Sequence, residues 1–89
     1  MRLAVELAIM DMDGDISAVA VGKDADKFHG MLQLNESAAE IIKLLTEDTT
    51  PEKILAEMQK KYQDTPVDEI GHSIADILNQ LNRAGLLID

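Results

Sequence analysis

Apolar and polar residues alternate at the start of the chain. Leu3, Val5, Leu7 and Ile9 interleave with Ala4, Glu6, Ala8 and Met10. This period of two predicts a strand over about residues 3–10 with one strongly apolar face. Asp13-Gly14 follows, a tight hairpin signal because glycine accepts positive φ without steric cost. Ile16 to Val21 reads as the second strand, ended by Gly22. Lys23 to Gly30 is polar and reads as a loop with a short helical turn. Met31-Leu32-Gln33-Leu34 is a short third strand with Leu32 and Leu34 on one face.

From residue 35 onward the period changes to three and four, and three helix starts are marked. Asn35 can cap a helix over about residues 36–45 with Ala38, Ile41, Ile42 and Leu45 as its buried stripe. Thr50-Pro51-Glu52 supplies a cap, a first-turn proline and an acid at the positive end of the helix dipole. That second helix runs over about 51–62 and buries Ile54, Leu55, Met58 and Tyr62. Thr65-Pro66-Val67-Asp68 repeats the signal for a third helix over about 66–84. It carries Val67, Ile70, Ile74, Ile77, Leu78, Leu81 and Ala84, and Gly85 is placed as its stop. Leu86-Leu87-Ile88 folds back onto the core as a tail. The expected architecture is α+β: an N-terminal three-stranded antiparallel sheet, made of a hairpin and a short third strand, then three helices. Residues 1–89 form a single domain, since a chain of 89 residues has no room for two independent cores.

Composition narrows the function. Only Phe28 and Tyr62 are aromatic, so the core is aliphatic. Eight Lys and Arg stand against seventeen Asp and Glu, a formal charge of −9. Nucleic-acid binding needs clustered cations against phosphate, and these are scattered. The same charge opposes anionic membranes and favours a basic or apolar partner. There is no cysteine, hence no disulfide, thiolate ligand or cysteine nucleophile. The first residues lack the basic start and apolar run of a signal peptide, so a cytoplasmic location is expected.

The motifs that resemble chemistry weaken on inspection. Asp11-Met12-Asp13-Gly14-Asp15 alternates aspartates as a calcium loop does. The sixth and twelfth positions of such a loop need Gly and Glu, and hold Ile16 and Gly22. An acidic hairpin turn is the better account. Gly71-His72-Ser73-Ile74 resembles the phosphopantetheine site of carrier proteins. A carrier serine opens a helix with two more to follow, whereas Ser73 falls inside the third helical pattern with sixteen residues after it. His29 and His72 are the only histidines, and no HExxH or paired arrangement accompanies them, so no metal site is expected. Isolated glycines give no phosphate cradle. No catalytic set is indicated, and no cofactor.

Taken in order, several segments form a recognisable series. These are Val19-Ala20-Val21-Gly22, Phe28-His29-Gly30-Met31-Leu32-Gln33-Leu34-Asn35-Glu36-Ser37-Ala38-Ala39-Glu40-Ile41, Thr50-Pro51-Glu52 and Leu81-Asn82-Arg83-Ala84-Gly85-Leu86-Leu87. The series resembles the pyrroloquinoline-quinone biosynthesis protein D family from about Leu3 to Ile88. Ile42 departs from it, standing where relatives often have an aromatic residue. The resemblance implies a winged-helix-like fold and a non-catalytic role. Such a domain holds the leader of a ribosomally made precursor peptide and presents it to a modifying enzyme, often a radical S-adenosylmethionine enzyme. The leader adds a strand to the sheet and rests beside the third helix. On this reading the peptide-binding residues are Met31, Leu32, Gln33 and Leu34 of the third strand, with Ile70, Ile74, Ile77, Leu78 and Leu81 of the third helix. Whether each of those helix residues faces a groove or the core stays open. The rival readings are a carrier domain modified at Ser73, and a winged-helix scaffold or DNA-binding module with no peptide substrate.

Overall fold

The computed structural model describes residues 1–26 and 30–88; Phe28 and His29 lie outside the described residues. Arg2–Leu3 (β1), Leu7–Met12 (β2), Asp15–Ala20 (β3) and Met31–Leu34 (β4) come first. Glu36–Leu44 (α1), Pro51–Lys61 (α2) and Val67–Arg83 (α3) follow, and Leu87–Ile88 (β5) closes the series. A three-residue 3-10 turn over Gly22–Asp24 leads out of β3. The three-stranded antiparallel sheet and three helices form the expected α+β arrangement, with strand order β2-β3-β4.

The N-terminal strand differs from the expectation. The alternation of Leu3 to Ile9 predicts one strand, but the chain bends between β1 and β2. The amide of Leu3 donates to the Leu45 carbonyl (3.0 Å) and that of Ala4 to Leu86 (2.7 Å). β1 is thereby drawn away from the sheet and pairs with β5, Arg2 opposite Ile88 and Leu3 opposite Leu87. The side-chain alternation persists through the bend, so periodicity alone could not reveal it. The tail does fold back, as a strand.

The hairpin between β2 and β3 turns at Asp13 (φ 57°) and Gly14 (φ 88°), both left-handed as a type I′ turn requires. Opposed residues of a sheet project to the same side. Ile9, Ala18 and Leu32 therefore share the inner face, as do Ile16 and Leu34. The outer face carries Met31, Val19 and Ala8 in one row and Gln33, Ser17 and Met10 in the next.

The helix starts at Asn35 and Thr50 are capped as their sequence suggests. Asn35 Oδ1 accepts from the Ala38 amide at 2.8 Å, and Thr50 Oγ1 from Lys53 at 3.2 Å. The third start is different: Pro66 occupies the cap position with no side-chain bond, and Thr65 stands outside. At the other end Gly85 (φ 73°) is left-handed, and the amides of Gly85 and Leu86 return to Asn82 and Leu81. That pairing is a Schellman stop. Ile41, Ile42, Leu45, Ile54, Met58, Leu81 and Leu86 are the fully enclosed side chains, an aliphatic core between helices and sheet.

Candidate functional site

Among the described residues β4 borders β3 on one side only, and its other side is a sheet edge with unpaired N–H and C=O groups. β2 is the opposite edge. The two differ in what lies beside them.

Beside β4 runs a groove against α3. One depression, of about 210 Å³, is lined by Gln33 and Asn35 on one wall and by Ser73, Asp76 and Gln80 on the other, with Ile77 as floor. It shares Asn35 and Ser73 with a second depression of about 400 Å³ over the start of α1, where Glu36, Tyr62, Glu69 and Ile70 contribute. The helix explains this lining. Ile70, Ile74, Ile77 and Leu81 step by four, three and four along the stripe turned into the core. Glu69, Ser73, Asp76 and Gln80 follow the same steps one residue earlier, so they occupy the flank toward β4. Glu69, Asp76 and Gln80 are exposed and Ser73 is half-buried.

Beside β2 the environment carries cations. Lys43 and Lys61 border a depression with Ile9 and Asp11, and both reach Glu40, Lys61 at 2.7 Å and Lys43 at 3.4 Å. The hydrogen bond from Lys61 holds the Glu40 carboxyl below its ordinary value, against a smaller opposing effect of burial. The same bond raises the Lys61 ammonium.

The sequence-derived site residues divide accordingly. Met31 to Leu34 form the edge strand, with Met31 and Gln33 exposed and Leu32 and Leu34 half-buried against the core. Ile70, Ile74, Ile77 and Leu81 are buried packing residues, and only Ile70 and Ile77 reach the groove, as its floor. Leu78 lies elsewhere: with Leu55, Gly71, Ile74 and Ala75 it lines a separate apolar depression between α2 and α3. The apolar surplus on α3 thus serves the core and this second flank, while the β4-facing flank is polar. Asp76, Gln80 and Glu69 were not among the expected residues. The signal that finds them is the core stripe shifted by one position, although sequence does not say which flank meets the strand.

The other motifs resolve locally. Asp11 Oδ1 accepts from the Gly14 amide at 3.0 Å and so braces the turn. Ser73 is the seventh residue of α3, not its start. Among the described residues no cluster of three or more His, Asp and Glu could hold a metal ion. No helix of the described residues is long and apolar enough to cross a membrane.

A family model described as coenzyme PQQ synthesis protein D (PqqD) matches residues 6–87. No curated protein matches the sequence. Among solved structures, TbiB1 in complex with the TbiA(beta) leader peptide is similar over 100% of both chains, at 18% identity and a TM-score of 0.65. A lasso peptide synthetase B1 complexed with the leader peptide is similar over 99% of this chain and 96% of its own, at 19% identity and a TM-score of 0.63. At such identities the likeness is one of fold.

Proposed function

The chain belongs to the coenzyme PQQ synthesis protein D (PqqD) family, and on that premise we propose that it is a leader-peptide-holding domain rather than a catalyst. The observation that carries this reading is the open edge of β4 facing a groove along α3. An extended peptide satisfies the unpaired main-chain groups of such an edge, and its alternate side chains are read by what lies to either side. The two solved relatives, each with a leader peptide, support the assignment of that occupant. The bound leader is delivered to a modifying enzyme in the cytoplasm, a radical S-adenosylmethionine enzyme being the candidate class.

The DNA-binding alternative fares worse on charge. α3 would have to enter a groove, yet it carries Asp68, Glu69 and Asp76 against Arg83 alone. The test of the peptide reading is a titration of 15N-labelled protein with leader peptides encoded near its gene. Amides of Met31 to Leu34 and of the groove flank of α3 shift on binding. N-methylating the peptide at successive residues weakens binding at every second position, because only alternate amides of an added strand point to β4. Shifts confined to other surfaces, or uniform tolerance of N-methylation, defeat the proposal.

A further inference from the structure

The sheet register dictates where the side chains of a strand laid on β4 point. A guest residue opposed to Leu32 or Leu34 projects to the inner side, toward α3, whereas one opposed to Met31 or Gln33 projects to the outer face. The inner side offers apolar surface at depth, from Ile77, and a carboxylate at its rim, from Asp76. Glu69 and Glu36 add two more along the continuous groove, and among the described residues no Lys or Arg lines either depression. No ion pair among the described residues engages Glu36, Glu69 or Asp76. The outer side is apolar at one row and polar at the next: Met31 is 56% exposed and its row continues through Val19 and Ala8, whereas the Gln33 row continues through Ser17.

Building on the peptide-binding reading, we infer that the occupant of the β4 edge carries Lys or Arg at a position opposed to Leu32 or Leu34 and an apolar residue at the position opposed to Met31. A long cationic side chain lays its methylene stem on the apolar floor and keeps its charged head at the Asp76 rim. An acidic or short polar residue can do only one of these. The start of α1 is the competing influence, since a helix N-terminus favours anions. Here the Asn35 side-chain oxygen Oδ1 already caps the Ala38 amide, and Glu36 occupies the first turn, so an incoming anion meets a carboxylate. A second copy of the chain is a poor occupant, because each copy brings a formal charge of −9 to the other.

A random-peptide display library selected on the full chain tests this, with the winners located by amide shifts. The expected winners shift Met31 to Leu34 and carry Lys or Arg at one inward position and an apolar residue opposed to Met31. Replacing that cation by Gln in a winning peptide weakens binding by about three- to tenfold, and added salt narrows the difference. Asp76→Lys shifts the selection toward Asp and Glu, and Asp76→Asn weakens the preference without reversing it. Asp76 is exposed, so both variants are expected to keep the amide spectrum of the parent away from the groove. Winners at β4 with no cation preference, or with acids preferred, overturn the inference and leave peptide binding standing. Winners that never perturb β4, or β4 shifts that follow protein concentration without peptide, overturn both.

Discussion

Gly14 shows what a single residue contributes when nothing touches it. Its φ of 88° belongs to the left-handed region, and a Cβ there would meet no atom within 4 Å. Gly14→Ala therefore costs about 1–2 kcal/mol through the backbone alone, read as a lowered urea midpoint at unchanged slope. Asn35 acts through its side-chain Oδ1, which accepts from both the Ala38 amide and the Ser37 hydroxyl (2.9 Å). Asn35→Ala removes the cap and destabilises by about 1 kcal/mol, whereas Asn35→Asp retains most of it. Glu40 adds a pH dependence. Its carboxyl is held below the ordinary value mainly by Lys61, so its contribution is complete above that ordinary value and lost as pH falls through the lowered one. Glu40→Gln is accordingly less stable than the parent near neutral pH, and the gap closes in strong acid; urea midpoints at the two extremes check it. Residues of this kind are legible in a sequence when their partner is close along the chain. Asn35, Thr50, Gly14 and Gly85 bond within a few positions of themselves, and their types announce it. Thr65 carries the same signature but stands one residue too early, because Pro66 takes the boundary. The Glu40–Lys61 pair spans two helices and leaves no trace in either.

α3 is the element on which packing and function meet, with three parallel faces. The inward face is unforgiving: Leu81 is fully enclosed, and Leu81→Ala costs about 2–5 kcal/mol, a large share of what a small domain possesses. Ile77→Val, which trims the groove floor by one methyl, costs about 0.5–1.5 kcal/mol. The face toward α2 contains Gly71, where a Cβ would again meet nothing within 4 Å and the backbone is helical. Gly71→Ala raises stability by about 0.5–1 kcal/mol, measured as a higher urea midpoint, and leaves peptide binding at β4 unchanged because the two flanks are separate. The sequence made α3 visible as a strongly amphipathic helix and marked its inward stripe. It could not distribute the remaining residues, since a helix shows its faces in order but not what stands opposite each. Leu78, apolar like the inward stripe, lies on the flank toward α2, and Asp76 lies on the flank toward β4.

Across the whole molecule, the architecture was readable because each element is locally consistent: alternation for the sheet, caps and stripes for the helices. The exception was the N-terminal strand, whose single pattern serves two sheets. The bend between β1 and β2 is fixed by Leu45 and Leu86, residues far along the chain, so no window of nearby sequence contains its cause. The clasp of β1 on β5 has a mechanical consequence. Arg2 opposes Ile88 and Leu3 opposes Leu87, so tension applied at the two ends of the chain acts across the strands and parts their bonds one after another. Such a clasp opens bond by bond, and the bonds of Met1 to Thr49 and of Leu3 to Leu45 share the load with it, while β3 and β4 pair in the interior of the chain. A domain pulled from both sides by larger neighbours would loosen first at its ends and open the β4 edge later.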